Sequence, residues 1–116
     1  MNVLVVDDLV VNRFFLKQTL KTLGHDVSEA PDGLEALRLL EKSLFDVVFL
    51  DIEMPVMNGF ETIAAIRNSS DLMNLKVIAV TSHDAAFDDN TSAFSKFDGF
   101  IAKPLSAEKL KKYLLY

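Results

Sequence analysis

Four consecutive apolar residues that end in a carboxylate constrain this chain more than any other stretch. Val, Val, Phe and Leu occupy positions 47–50, and Asp51 follows them directly. An unbroken apolar run of this length predicts a strand that is buried on both faces, as in a parallel sheet. Pro55 cannot donate a ladder hydrogen bond, so the strand should end before it. Asp51 is therefore expected at the carboxyl end of a central strand, where open α/β sheets bind their ligands.

Similar short apolar runs recur along the chain and alternate with segments of helical periodicity. Strands are predicted at 3–6, 27–30, 47–50, 77–80 and 99–102. Helices are predicted at 12–23, from Asp32 to Leu44, from Asn58 through Ile66, at 84–96 and after Ser106. Strands that alternate with helices of about a dozen residues indicate βαβ units and a parallel sheet. The strand at 27–30 is half polar, which favours a place near the edge of that sheet.

Capping patterns mark where several of these helices begin. Asp32 and Asn58 each stand three residues before a glutamate, as in a capping box, and Ser106 is suited to cap the last helix. The helix after Asp32 is expected to turn three leucines toward the core, at Leu37, Leu40 and Leu44.

Polar residues follow the apolar strands at positions that the topology should bring together. Right-handed crossovers place the carboxyl ends of parallel strands along one edge of the sheet. One crevice is therefore expected to contain the residues just past four apolar runs, namely Asp7, Asp8, Asp51, Thr81 and Lys103.

Size and composition limit what this crevice can belong to. The 116 residues are enough for one domain, which we place at 1–116, and the net charge of -5 argues against a nucleic-acid partner. There is no cysteine, which excludes disulfides, thiol nucleophiles and thiolate metal sites. The first apolar run is too short for a signal peptide or a membrane span, so a cytoplasmic protein without a membrane partner is expected.

Three carboxylates in one crevice repel one another. Two like charges about 4 Å apart cost roughly 4 kcal/mol at an effective dielectric constant near 20. A cation would remove this cost, and an all-oxygen set of ligands suits Mg²⁺ or Mn²⁺ better than zinc. The alternative is that one carboxyl has a raised pKa and the group shares a proton.

A carboxylate near a divalent cation, a hydroxyl and a lysine is an arrangement suited to phosphoryl transfer. Asp51 could attack phosphorus to form an acyl phosphate. Lys103 and the metal would neutralise the phosphoryl oxygens, and Thr81 would donate a hydrogen bond to one of them. The small side chain of Ser82 would leave the carboxylate accessible.

Five short motifs follow one another along the chain, namely Val5-Val6-Asp7-Asp8, Asn12-Arg13, Asp51-x-x-Met54-Pro55-x-Met57-x-Gly59, Thr81-Ser82-His83 and Lys103-Pro104. In these motifs, their order and their spacing, the chain resembles the receiver domains of two-component response regulators over essentially its whole length. The resemblance implies a doubly wound, flavodoxin-like sheet with strand order 2-1-3-4-5 and five helices. The Asn12-Arg13 and Gly24-His25 pairs favour the receivers attached to hybrid sensor kinases.

The resemblance also implies roles for the crevice residues. Asp51 would accept a phosphoryl group from a phosphohistidine on a sensor histidine kinase or phosphotransfer protein. Asp8 and Asp51 would bind Mg²⁺ directly and Asp7 would act mainly through water. The backbone carbonyl of Glu53 would complete the protein ligands. Thr81 and Lys103 would hold the phosphoryl oxygens.

The same resemblance predicts how the signal leaves the domain. A downstream protein would recognise the face formed by the helix at 84–96, the strand at 99–102 and the last helix. Phe100 matches the aromatic residue that turns inward as Thr81 moves, although it lacks the hydroxyl of the commoner tyrosine. Lys96, followed by Phe97, stands where the family often has glycine, so the resemblance does not fix where the preceding helix ends.

Two other functions remain alternatives to a switch that catalyses only its own phosphorylation and dephosphorylation. Asp51 and Glu53 partly match the motif of haloacid-dehalogenase phosphatases, but the order of the motifs along the chain is reversed and no cap domain fits. A phosphorylation-independent adaptor would not need the complete acidic and lysine set. We also hypothesise that Glu53 and His83 flank the path of the attacking water and set the lifetime of the acyl phosphate.

Overall fold

The computed structural model describes residues 1–82 and 95–114. These residues form five strands and four helices. In chain order they are β1 (Asn2–Val6), α1 (Val10–Thr22), β2 (Asp26–Ala30), α2 (Gly33–Lys42), β3 (Val47–Asp51), α3 (Gly59–Asn68), β4 (Lys76–Thr81), β5 (Gly99–Ala102) and α4 (Ala107–Lys111). The predicted helix at 84–96 lies almost entirely outside the described residues, so four of the five expected helices are observed.

All five strands run parallel in the order β2-β1-β3-β4-β5. This confirms the predicted fold class and strand order, and it places the half-polar strand β2 at one edge. Val6 pairs with Leu50, and Asp51 pairs with Val80. This register brings the residues that follow β1 next to the end of β3, so their side chains converge at one edge of the sheet.

The sheet is buried on both faces, as the continuous apolar runs predicted. One face of β1 and β3 packs with α2 and α3, through Leu4, Val6, Val48, Leu50, Ala36, Leu40, Ile63 and Ile66. The opposite face packs with α1 and α4, through Val3, Val5, Val47, Phe49, Leu16, Leu20 and Leu110. Every residue of β3 is buried. Asp51 is thus the polar end of a strand that is buried along its whole length.

The loop from β3 to α3 is held close to the site by a cap and a glycine. Asn58 and Glu61 form a full capping box, with both hydrogen bonds at 2.9 Å. A Cβ atom on Gly59 would lie 2.6 Å from Ile52 Cα and 2.8 Å from the Asp51 carbonyl oxygen. Only glycine therefore lets the start of α3 approach the end of β3 this closely.

The caps predicted for two further helices are also observed, but the prediction that Leu44 points toward the core is wrong. Asp32 accepts a hydrogen bond from Glu35 N–H, and Ser106 accepts one from Lys109 N–H. Leu44 is 91% exposed because α2 ends at Lys42 and Ser43 is extended, which breaks the helical periodicity before Leu44 is reached.

Phe97, which stands close to the family's usual glycine, is a core residue. Its side chain is buried and its ring lies 6.4 Å from Phe60 and 6.3 Å from Phe100, centroid to centroid. Lys96 is exposed, and its carbonyl accepts a hydrogen bond from Arg67 Nε. The aromatic contacts anchor the segment that leads into β5. No helix among residues 1–82 and 95–114 is long and apolar enough to cross a membrane.

Candidate functional site

Three carboxylates meet at the carboxyl ends of β1 and β3. Asp7 and Asp51 are buried and Asp8 is half-buried, and one oxygen atom from each lies within 4.8 Å of the others. The sequence predicted this convergence from the positions of these residues just past two apolar runs. The parallel pairing of β1 with β3 provides it.

Asp7 is hydrogen-bonded at one carboxylate oxygen but not at the other. Its Oδ1 atom accepts a hydrogen bond of 2.9 Å from Leu9 N–H. Its Oδ2 atom is buried and has no hydrogen-bond partner. The nearest cation is Lys103, whose Nζ atom lies 3.7 Å from Oδ2. A buried carboxylate oxygen without a donor is costly, and a bound cation would relieve that cost.

The Asp51 carboxylate, like that of Asp7, accepts a backbone hydrogen bond at one oxygen and lies beside Lys103 at the other. Its Oδ1 atom accepts a hydrogen bond of 3.2 Å from Glu53 N–H, and Lys103 Nζ lies 3.8 Å from its Oδ2 atom. Burial and the neighbouring charge of Asp7 raise the pKa of Asp51 to about 7, against the opposing effect of Lys103. Lys103 thus lies beside two of the three carboxylates, and its single positive charge does not balance the three negative charges of the cluster.

Thr81 and Lys103 come from the ends of β4 and β5. Thr81 is buried and pairs with Ala102, and its backbone carbonyl accepts a hydrogen bond of 2.8 Å from Lys103 N–H. This bond extends the ladder by one residue, so the Lys103 side chain leaves the sheet beside Asp51. The predicted grouping of Asp7, Asp8, Asp51 and Lys103 is therefore observed, with Thr81 ending the strand next to β3.

Glu53 and Ser82 lie on the exposed side of the site. The Ser82 hydroxyl donates a hydrogen bond to the Glu53 carboxylate. The Glu53 side chain is exposed, and its N–H is bonded to Asp51. The predicted use of the Glu53 carbonyl as a metal ligand stays a prediction. His83 lies outside the described residues. The hypothesis that it sets the lifetime of an acyl phosphate, together with Glu53, therefore stays a prediction.

The residues of the site fit a hard divalent cation. The donor atoms that the described residues bring together here are carboxylate oxygens, which suit Mg²⁺ better than zinc or copper. The Oδ2 atom of Asp7 has no hydrogen-bond donor, and Asp7 belongs to a cluster of three carboxylates. A cation at this point would satisfy that atom and reduce the repulsion between Asp7 and Asp51.

Arg13 was named in the sequence only as part of a matching motif, and the structure gives it a specific contact. Its Nη1 atom donates a hydrogen bond of 2.8 Å to the backbone carbonyl of Asp7. The spacing of six residues, across the turn between β1 and α1, allows a first-turn side chain to reach back to the strand end. That spacing was a signal, but an arginine near a helix start is common and the signal is weak.

A comparison with protein families gives one match that covers nearly the whole chain. The model described as the response regulator receiver domain matches residues 3–115. The chain is 36% identical over 115 residues to chemotaxis protein CheY-3 of Vibrio cholerae, covering 98% of this chain and 88% of that protein. It is 35% identical over 114 residues to sensor histidine kinase RcsC of Salmonella typhi, covering 98% of this chain but only 12% of that kinase's length.

Solved structures give the same result for the fold. Chemotaxis protein CheY4 of Vibrio cholerae has a TM-score of 0.89 and 34% identity, covering 97% of this chain and 94% of that one. Response regulator TrrA of Thermotoga maritima, solved in complex with Mg²⁺ and BeF, has a TM-score of 0.87 and 31% identity, covering 97% and 95% of the two chains.

Proposed function

Since this chain belongs to the response regulator receiver family and is a phospho-accepting signalling switch, we propose that Asp51 is its phosphoryl acceptor. The observation that carries the proposal is the position of the Asp51 carboxylate, buried at the end of β3 with Lys103 Nζ 3.8 Å from one of its oxygens. We further propose that residues 1–116 form a single receiver domain that acts in the cytoplasm.

The two oxygens of Asp51 differ, and the difference selects the nucleophile. Oδ1 is bonded to Glu53 N–H, whereas Oδ2 lies beside Lys103. Oδ2 would attack phosphorus, the new O–P bond would form, and the P–N bond of the phosphohistidine would break with its electron pair returning to the imidazole. Lys103 would neutralise charge on the transferred group, and Thr81 would donate a hydrogen bond to a phosphoryl oxygen.

Asp7, Asp8 and Asp51, with the backbone carbonyl of Glu53, would hold one Mg²⁺, and Mn²⁺ has the same ligand preferences. The unpartnered Oδ2 atom of Asp7 supports this assignment, as does the Mg²⁺ complex of TrrA. When bound, the ion neutralises charge on the phosphoryl group. Asp8 and Asp51 would be direct ligands, with Asp7 acting mainly through water.

An exposed apolar surface beside the site would receive the phosphoryl donor. Five neighbouring residues are between 40% and 78% exposed, namely Leu9, Val10, Val11, Phe14 and Phe15. A cavity of about 270 Å³ adjoins them and is lined by Val11, Asn12, Phe15, Lys103, Pro104 and Leu105. Because Lys103 also contacts Asp51, a protein seated here would present its phosphohistidine to the acceptor.

The phosphorylated domain would signal to a downstream protein through β5, the segment before it and α4. Phe100 on β5 is half-buried and packs against Phe97, and because a phenylalanine ring carries no hydroxyl, any change in its position would depend on packing alone. The domain would act only on its own acyl phosphate. The phosphatase and adaptor alternatives gain no support from any described contact.

The direct test is mass spectrometry after exposure to acetyl phosphate, with and without Mg²⁺. We expect the wild type to gain one phosphoryl group only with Mg²⁺ and Asp51→Asn to gain none. Asp46→Asn, at the amino end of the same strand, is the matched control and should react like the wild type. A stable adduct on Asp51→Asn would move the acceptor elsewhere, and steady turnover of p-nitrophenyl phosphate would favour the phosphatase.

A second test separates the donor surface from the chemistry of the site. Val11→Ser combined with Phe14→Ser should slow transfer from a phosphorylated histidine phosphotransfer protein at least tenfold. The same variant should react with acetyl phosphate at the wild-type rate, because that small donor needs no docking surface. Leu44→Ser, which is equally apolar and 91% exposed elsewhere, is the control. Equal slowing by both donors would contradict a docking role.

A further inference from the structure

The Arg13 side chain connects the acidic site to the edge strand β2. Its Nη1 atom donates to the Asp7 carbonyl at 2.8 Å, and its Nε atom donates to Glu29 Oε1 at 3.0 Å. The side chain is only 16% exposed. Glu29 also pairs with Lys17 at 3.1 Å. The guanidinium therefore has two fixed anchors, one on β2 and one on the backbone of the metal site.

The bond from Arg13 completes the restraint of Asp7. The Asp7 N–H bonds to the Ala30 carbonyl at 3.1 Å, and its Oδ1 atom accepts from Leu9 N–H. The remaining backbone group is the carbonyl that Arg13 holds, and this carbonyl defines the peptide plane between Asp7 and Asp8. The direction in which the Asp8 side chain leaves the backbone depends on that plane.

From these contacts we propose that Arg13 is a positioning residue that orients the Asp7-Asp8 turn for Mg²⁺, with Glu29 fixing Arg13. The inference rests on the proposed function, because it takes the acidic cluster to be the metal site. Arg13 acts through the backbone and does not touch the metal. Carboxylates that are already oriented lose less freedom when a metal binds, so a bonded support around a metal site strengthens binding.

The sign of the effect separates positioning from simple electrostatics. Arg13 carries a positive charge close to the site, and a positive charge repels Mg²⁺. If charge alone mattered, removing Arg13 would strengthen Mg²⁺ binding. Positioning predicts the opposite, a weaker affinity after Arg13 is lost.

Lys17 provides the matched control. It pairs with the same glutamate and carries the same charge, but its ammonium contacts Glu29 Oε2 at 3.1 Å, on the side of β2, and not the Asp7 carbonyl. Lys17→Met therefore perturbs the ion pairs on β2 without removing the hydrogen bond to the Asp7 carbonyl. Arg13→Lys keeps the charge but cannot span two acceptors as a planar guanidinium does.

The experiment is calorimetric titration of Mg²⁺ into the full chain, with thermal unfolding in EDTA measured beside it. We expect Arg13→Met to weaken Mg²⁺ affinity by about 10–100-fold, as loss of an outer-shell partner typically does. Arg13→Lys should fall between that variant and the wild type. Lys17→Met should stay within about threefold of the wild type. The rate of phosphorylation by acetyl phosphate should recover in Arg13→Met when Mg²⁺ is saturating.

Other results would overturn the inference. Unchanged or tighter Mg²⁺ binding by Arg13→Met would do so, even if its thermal stability in EDTA falls. Equal weakening by Lys17→Met would reduce Arg13 to one member of an ion-pair network. If Arg13→Met does not fold, Arg13→Lys decides between the same outcomes. Failure of the wild type itself to bind Mg²⁺ would instead overturn the proposed metal site.

Discussion

The two ends of the sheet carry charged clusters of opposite character. At the amino ends of β4 and β5, Arg67 donates hydrogen bonds to the carbonyls of Lys96, Met73 and Leu75 and to the Asp98 carboxylate. Asp98 in turn accepts from Val77 N–H at 2.7 Å. At the carboxyl ends, three carboxylates converge, Lys103 lies beside two of them, and Asp7 keeps a buried oxygen without a hydrogen bond.

The difference shows how one fold separates stability from function. The Arg67 cluster is balanced and bonded, so it joins α3, β4 and the start of β5 at little electrostatic cost. The acidic cluster is unbalanced, so the repulsion between its carboxylates destabilises the folded protein. A bound cation or proton relieves this repulsion. The protein itself does not neutralise the charges at the carboxyl ends of the strands. A ligand that neutralises them therefore binds favourably there.

The largest expected effect would come from removing the charge at the unbalanced end. The folded pKa of Asp51 is about 7, above its ordinary value of 3.8, so the folded state binds more protons between these pH values. The contribution of Asp51 to the free energy of unfolding is therefore largest near pH 4 and below, and it is lost as the pH rises toward 7. Asp51→Asn should raise the free energy of unfolding in EDTA at pH 8 by up to about 4 kcal/mol.

Urea denaturation at pH 4, 6 and 8 would measure this effect. The difference in the free energy of unfolding between Asp51→Asn and the wild type should shrink toward zero at pH 4. At pH 8, saturating Mg²⁺ should reduce this difference, because it stabilises the wild type. Asp26→Asn, an exposed carboxylate at the start of β2, should change stability little at any pH. A gain that is independent of pH would show that the ionised form of the Asp51 carboxyl is not the source of the penalty.

Removing a charge from the Arg67 cluster should lower the stability of the protein, the opposite of the effect expected for Asp51. Arg67→Ala leaves three carbonyls without their arginine donor and removes one of the two donors to Asp98, which should lower the free energy of unfolding by about 2–3 kcal/mol. Because the Asp98 side chain is 45% exposed, most of that loss should come from the carbonyls rather than from the ion pair.

Thermal or urea unfolding would measure the Arg67 effect. Arg38→Ala, which removes an exposed ion pair with Glu35 at 3.5 Å, should cost less than about 0.5 kcal/mol. Phosphorylation of the folded Arg67→Ala protein by acetyl phosphate should stay near the wild-type rate. A large change in that rate would mean that the two ends are coupled.

The smallest effect concerns backbone strain, which also lies at the functional end. Val56, in the loop after β3, has a φ of +69° and is 78% exposed. A β-branched residue is unfavourable in the left-handed region, whereas asparagine adopts it readily. Val56→Asn should therefore stabilise the protein by about 0.5–1 kcal/mol. Val56→Thr keeps the branch and should gain nothing; an equal gain from both would rule out strain as the cause.

The sequence alone determined the strands, their order through the family resemblance, and the members of the acidic site. The apolar run at 47–50 required a strand buried on both faces, and a carboxylate directly after it had to lie at the sheet's edge. The strand at 99–102 was predicted at its observed bounds, because Gly99 and the polar Lys103 flank a short apolar run. These features are local, so spacing and residue type suffice.

Only the tertiary structure decided the features that depend on residues distant in the chain. Leu44 fits the periodicity of α2, but the helix ends two residues earlier and leaves it exposed. Tyr113 bonds through its hydroxyl to both the N–H and the carbonyl of Phe100, and Arg13 reaches back to Asp7. The pKa of Asp51 likewise depends on burial and on Asp7, which is distant in the chain but adjacent in the sheet. Residue spacing places side chains at an edge, whereas packing determines which atoms meet there and what charge they carry.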